Sequence, residues 1–141
     1  MTPSHGGVIF FSMNDNAGFK AAKSQTRETG SRGEAIARKY LKMSGYEIIA
    51  SNYRSRRLEI DIISQKEGRL IFFEVKTRFE NKAAKTSIPI SPRQINNLKH
   101  AIAAYCFKKR AHLERAHLDL IVIYVSRATG LASLRHYRDI F

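Results

Sequence analysis

Apolar and polar residues alternate along Leu58-Glu-Ile-Asp-Ile-Ile63 and again along Leu70-Ile-Phe-Phe-Glu-Val-Lys-Thr77, with Lys66-Glu67-Gly68 between them. Period-two segments rich in Ile, Phe and Val, joined by turn residues, predict a β-hairpin with one buried face. A two-residue Glu67-Gly68 loop and a four-residue 66–69 loop give the same register. Asp61 then lies opposite Glu74, and Glu59 opposite Lys76. That register also gathers Leu58, Ile60 and Ile62 with Ile71, Phe73 and Val75 on one apolar face, and a one-residue slip would undo both groupings together.

Longer periods flank the hairpin. Ser31-Arg-Gly-Glu34 fits a capping box, followed by an apolar stripe at Ala37, Tyr40, Leu41 and Ser44, which predicts a first helix from about Arg32 to Ser44 with Gly45 as its stop. Glu34 closes that box and also lies on the stripe that faces the sheet. Glu47–Ala50 reads as a short strand and Ser51–Arg57 as a polar turn. Ser91-Pro92-Arg93-Gln94 opens a second helix with a serine cap, a first-position proline and a box-closing glutamine. Its stripe is Ile95, Leu98, Ile102, Tyr105 and Cys106, and Lys108-Lys109-Arg110 suits the negative end of its dipole. Leu118–Val125 reads as a strand buried on both faces, Leu131–Leu134 as a last short strand, and Tyr137–Phe141 as a packed terminus. Asp119 is expected to be structural, pairing an arginine. The order is α-β-β-β-α-β with a final β piece, an α/β mixed sheet flanked by helices. Residues 1–29 show no sustained period and read as a flexible basic extension with a short ordered piece at Val8–Phe11, in which Lys20, Lys23 and Arg27 could assist binding. Residues 30–141 form the folded domain.

Composition narrows the class. With 141 residues and 43% hydrophobic content, the chain is long enough to bury a core without disulfides or metal staples. No apolar run approaches a bilayer span, and Val8–Phe11 is too short for a signal-peptide core, so the chain is expected in the cytoplasm. The single Cys106 falls in a helical stripe and reads as a core residue. Lys and Arg total 25 against 12 acids, a net charge of +13, and the pI is near 10.2. That excess favours a polyanionic partner, nucleic acid ahead of a membrane because no long helix combines a basic face with a broad apolar one. Arg54, Arg56 and Arg57 around the polar turn suit phosphate contacts, as do Arg93 and Lys99 on the flank of the second helix. Phe79–Ile90, with Lys82 and Lys85, reads as a substrate clamp. His112 and His117 are five apart, off the four-residue spacing that places two histidines on one helix face for a metal.

Carboxylates directly opposite each other on adjoining strands repel at about 5 Å. Asp61 and Glu74 must therefore share a proton, splay into solvent or bind a cation. With Lys76 beside them they suit a divalent-metal site of hard oxygen ligands plus an ammonium for phosphate or water. The alternative is a solvated strand face with a Glu59–Lys76 salt bridge.

Asp61, a spacer, then Glu74-Val75-Lys76 resembles the D…(D/E)-x-K core of the PD-(D/E)XK nuclease superfamily. Gly33-Glu34, Ala37, Leu41, Gly45-Tyr46, Asn52-Tyr53-Arg54, Glu59-Ile60-Asp61, Phe73-Glu74-Val75-Lys76-Thr77-Arg78 and Leu118-Asp119 resemble the YraN family. That family comprises predicted endonucleases distantly related to archaeal Holliday junction resolvases. The likeness covers about Gly33 to the C-terminus. Leu58 stands where the family has glycine, Arg93 is the basic residue of the second helix, and His117-Leu118-Asp119 stands for Arg-Phe-Asp. None of these removes a metal ligand. The resemblance implies a restriction-endonuclease-like fold and hydrolysis of phosphodiester bonds in branched or otherwise structured DNA. It implies that Asp61, Glu74 and the Val75 carbonyl hold one Mg²⁺ or Mn²⁺, with Glu34 and Lys76 completing the catalytic set and Arg78 joining the nucleic-acid contacts. A 5′-phosphate and a 3′-hydroxyl are the implied products. DNA is favoured over RNA, a homodimer is left open, and a binding module that cleaves little by itself is the alternative.

Overall fold

In a computed structural model, the chain forms one six-stranded mixed sheet with a helix on each face. The structure describes residues 10–12, 22–81 and 87–141. The elements are β1 (Phe10–Ser12), α1 (Ala22–Met43), β2 (Glu47–Ser55), β3 (Leu58–Lys66), β4 (Arg69–Phe79), α2 (Pro92–Lys109), a 3₁₀ turn (Leu113–Arg115), β5 (Ala116–Val125) and β6 (Leu131–Tyr137). The strand order is β1-β6-β5-β4-β3-β2, antiparallel throughout except for the parallel β4–β5 pair. That pair needs a crossover, and α2 supplies it.

The expected α/β architecture and element order hold, with β1 added at the sheet edge. The hairpin turn is the two-residue one. Lys66 pairs with Arg69, and Glu67 and Gly68 take φ of 51° and 74°, the left-handed pair that matches strand twist. α2 begins as its sequence states, with Ser91 Oγ accepting from Gln94 N–H and the Gln94 side chain accepting from Ser91 N–H.

Several local expectations are corrected. α1 begins at Ala22, ten residues before Arg32, so Ser31 is an interior helical residue and caps nothing. β1 and the first part of α1 fall inside the stretch read as an extension. β2 runs on to Ser55, which puts Arg54 in a strand and leaves only Arg56-Arg57 as the turn into β3. β6 likewise continues to Tyr137. Lys20, Lys82 and Lys85 lie outside the described residues, so the clamp reading of the 79–90 loop does as well.

The hairpin is buried on both faces rather than one. Ile62, Ile71, Phe73 and Val75 pack with Ala37 and Leu41 under α1, whereas Ile60, Ile63 and Phe72 pack with Leu98, Ile102 and Tyr105 under α2. Ile60 and Ile62 therefore face opposite sides, and the single apolar face expected for Leu58, Ile60 and Ile62 does not exist. Asn52 lies between the paired positions Ser51–Ile62 and Tyr53–Ile60, and its φ is 51°. A left-handed residue in a strand breaks the alternation, and asparagine tolerates it better than most. Both strands change face there, at Asn52 and Asp61.

Candidate active site

The chemistry-bearing residues gather where β3 and β4 part. Paired positions run from Lys66–Arg69 to Ile62–Phe73 and end there. Beyond that point β3 stays with β2, through Arg54–Glu59 and Ser55–Leu58, while β4 stays with β5 as far as Phe79–Val125. Asp61 and Glu74 are next in the β3–β4 register, at the mouth of the opening. The Asp61 carboxylate replaces the missing ladder bond, accepting from the Val75 N–H at 2.8 Å through Oδ2. In an extended strand the N–H and C=O of one residue point the same way, so the Val75 carbonyl also faces the opening.

Four acids and one lysine surround this gap. Lys76 Nζ donates to Glu74 Oε1 at 2.7 Å, and both side chains are mostly buried, at 17% and 14% exposure. Glu59 pairs with Arg54 at 3.3 Å, so the Glu59–Lys76 bridge considered from the sequence is not formed. Glu34 reaches in from α1, held by Arg38 at 4.0 Å. With its amide turned to donate, Asn52 bridges Glu59 Oε1 at 3.2 Å and Glu34 Oε2 at 3.1 Å. On the α2 side, Gln94, Asn97 and Leu98 join Leu58, Glu59 and Glu74 in a cleft of about 140 Å³.

Electrostatics mark Asp61 as the unstable charge. Burial, and next the Glu74 carboxylate, push its pKa up to about 8, although the Val75 N–H and Lys76 act in the opposite direction. Glu34 is also raised, chiefly by burial, with Glu59 and Glu74 adding repulsion and Arg38 opposing it. Lys76 offsets Glu74, Arg54 offsets Glu59 and Arg38 lies by Glu34, whereas Asp61 has no ion pair of its own among the described residues.

That imbalance, and an all-oxygen donor set, fit a hard divalent ion on Asp61, Glu74 and the Val75 carbonyl. No group of three or more His, Cys, Asp or Glu side chains converges as a metal cage among the described residues. Two carboxylates suffice for Mg²⁺, which keeps several waters of its own.

Close packing positions Glu34. A Cβ on Gly33 would stand 1.9 Å from Thr77 Oγ1, so glycine lets α1 lie directly over β4 one residue before Glu34. Thr77 Oγ1 is buried there without a hydrogen-bond partner.

The candidate phosphate contacts divide. Arg54, Arg56 and Arg57 sit at the β2–β3 end beside Glu59, and Arg93 is exposed on the first turn of α2 beside Gln94. Arg78 lies two residues past Lys76 and donates to the Thr77 carbonyl at 2.9 Å. Lys99 is not brought to the cleft; its ammonium lies 4.8 Å from the Phe141 ring centroid. Asp119 is structural, but its partner is a histidine rather than an arginine. Oδ2 meets His136 Nε2 at 2.7 Å, and His136 Nδ1 is 3.0 Å from the Tyr40 hydroxyl. His117 pairs with Asp139 and His112 with Glu114. Cys106 is a buried core residue. Asn52, named from the sequence only within the Asn52-Tyr53-Arg54 likeness and in a polar turn, is the member of the cluster to which the sequence assigns no role, since only the φ of its backbone and its two carboxylate neighbours distinguish it from a turn residue.

The sequence profile of the uncharacterised protein family UPF0102 matches residues 33–123. A UPF0102 protein of Chlorobium phaeobacteroides is 37% identical over 116 residues, covering 79% of this chain and 91% of its own. One from Clostridium botulinum is 38% identical over 116 residues, covering 82% and 94%. Among solved structures, Pyrococcus furiosus SfsA in complex with Ca²⁺ overlaps 80% of this chain at 17% identity and a TM-score of 0.39. This chain spans 63% of that one.

Proposed function

This chain belongs to the UPF0102 family, and on that footing we propose that it is a divalent-metal-dependent endonuclease acting on structured DNA at the β3–β4 opening. The observation that carries the reading is the pairing of a buried, mutually repelling Asp61 and Glu74 with Lys76 at 2.7 Å from Glu74. A purely structural cluster would gain by replacing one acid, whereas a metal-assisted hydrolase needs both.

In this mechanism Asp61 and Glu74 hold Mg²⁺ or Mn²⁺ together with the Val75 carbonyl. The bound ion supplies charge neutralisation at the scissile phosphate and a more acidic water. Lys76 stabilises the extra negative charge on phosphate as it becomes five-coordinate, and its ion pair with Glu74 suits that role better than proton abstraction. Glu34, steadied by Arg38 and Asn52, orients the attacking water. Arg54, Arg56, Arg57, Arg78 and Arg93 hold flanking phosphates, which fix the strand without reading its sequence. Lys99 would join them only by leaving Phe141.

Cleavage of branched, flapped, single-stranded and RNA substrates with Mg²⁺, Mn²⁺ or EDTA tests the reading. The parent is expected to cut at least one DNA form with metal and none with EDTA. Asp61→Asn and Lys76→Ala are expected to lower that rate at least about a hundredfold, the scale of lost transition-state charge stabilisation. Equal cutting by parent and variants, or preference for RNA over every DNA, would reject it.

A further inference from the structure

We infer that Phe107, with the cations around it at the C-terminal end of α2, is a stacking platform for an unpaired base of a nucleic-acid strand that enters the acidic cleft. The inference rests on the proposed function only for which strand arrives there.

Phe107 is 89% exposed, more than any other large hydrophobic among the described residues; Met43 follows at 72%. It is followed by Lys108, Lys109 and Arg110, all exposed, and the 18 residues of α2 include no acid. The nearby 3₁₀ turn adds exposed Arg115, while its Glu114 is engaged by His112 at 3.2 Å. Lys108 and Lys109 complement the negative end of the helix. A bare aromatic ring does nothing for that dipole and leaves apolar surface in water. An exposed π face at a helix end that carries exposed cations, Lys108, Lys109 and Arg110, is complementary to a base with its phosphates.

A path connects this platform to the cleft. Asn97 lines the cleft with Glu59 and Glu74. His100, Ala104 and Phe107 follow it at steps of three, four and three residues, and all four are exposed. Such steps trace one outward stripe of a helix. Ten residues rise about 15 Å, or roughly four nucleotides at the 3.4 Å per-strand spacing of phosphates in duplex DNA. Before Phe107 the stripe carries only one small apolar side chain, Ala104, so this face offers no broad apolar band to sink into a lipid surface.

The test is anisotropy with labelled DNA in EDTA, using a blunt duplex, a duplex with a single-stranded tail, and a single strand. Phe107→Ala is expected to weaken binding to the tailed and single-stranded forms roughly tenfold or more, the scale of one base–aromatic stack. Affinity for blunt duplex should be unchanged. Phe107→Trp should restore the loss, and equal melting temperatures for all three proteins exclude a folding defect. Parent-like binding by Phe107→Ala, or an equal loss on blunt duplex, overturns the platform. So does a Phe107-dependent loss seen only when the same proteins are sedimented with phosphatidylserine vesicles in place of DNA. Because metal is absent, the outcome is independent of cleavage. Phe107-dependent binding by a protein that cuts nothing refutes hydrolysis and keeps the platform; cleavage with Phe107-independent binding does the reverse.

Discussion

Asp61 concentrates the cost of the site in one residue. Its carboxyl, ordinarily near 3.8, is raised to about 8 by burial and by Glu74. The unfolded chain therefore releases this proton near pH 4 and the folded chain only near pH 8. Stability is free of any cost from this group below about pH 4, falls progressively as pH rises towards 8, and carries the full cost of the buried charge above. Asparagine carries no charge, and its amide oxygen can still accept from the Val75 N–H. Asp61→Asn is thus expected to melt above the parent at pH 8.5 and level with it at pH 4, in metal-free buffer. A parent that is the more stable at pH 8.5 would contradict the assignment of an under-neutralised carboxylate. The juxtaposition of Asp61 and Glu74 was legible because the two-residue Glu67-Gly68 turn fixes the register. The role of Asn52 was not, since only its backbone φ and its two carboxylate neighbours set it apart from a turn residue. The Asp119 partner was hidden for another reason: His136 is 17 residues away, and only the β5–β6 pairing brings them together.

At the scale of elements, α1 must approach β4 closely for Glu34 to reach the opening, and Gly33 makes that approach. Gly33→Ala would gain roughly 0.5–1 kcal/mol of helix propensity. The new methyl would meet Thr77 Oγ1 at 1.9 Å, an overpacking that typically costs about 1–3 kcal/mol. A net loss of stability is expected, and Thr77→Ala in the same chain should recover part of it. Denaturant midpoints for the two single variants and the double variant measure this coupling; additive effects would remove Gly33 from the account. The start of α2 could be read directly because Ser91, Pro92 and Gln94 state it three times over. That of α1 could not, because Ser31 and Glu34 imitate a cap in mid-helix, and packing of Ala37 and Leu41 on the sheet anchors only the later turns. The double-sided burial of β3 and β4 was half legible. Consecutive Ile62-Ile63 and Phe72-Phe73 break strict alternation, and each such pair supplies one side chain to either core.

Across the whole molecule, the sheet divides labour between a closed end and an open one. At the hairpin end β3, β4 and β5 are paired and buried, while at the other end β3 departs from β4 and exposes the acids. No described helix is long and apolar enough to cross a membrane. The net charge of +13 draws polyanions and repels cations in general. A saturable divalent-ion site on so basic a chain therefore requires local carboxylates, and the β3–β4 opening supplies them. The most direct test is a Mn²⁺ titration followed by electron paramagnetic resonance at pH 8.5, on the parent and on Asp61→Asn. One saturable Mn²⁺ per parent chain, lost in the variant, is the expected result; no saturable ion on the parent, or undiminished binding by Asp61→Asn, would contradict it.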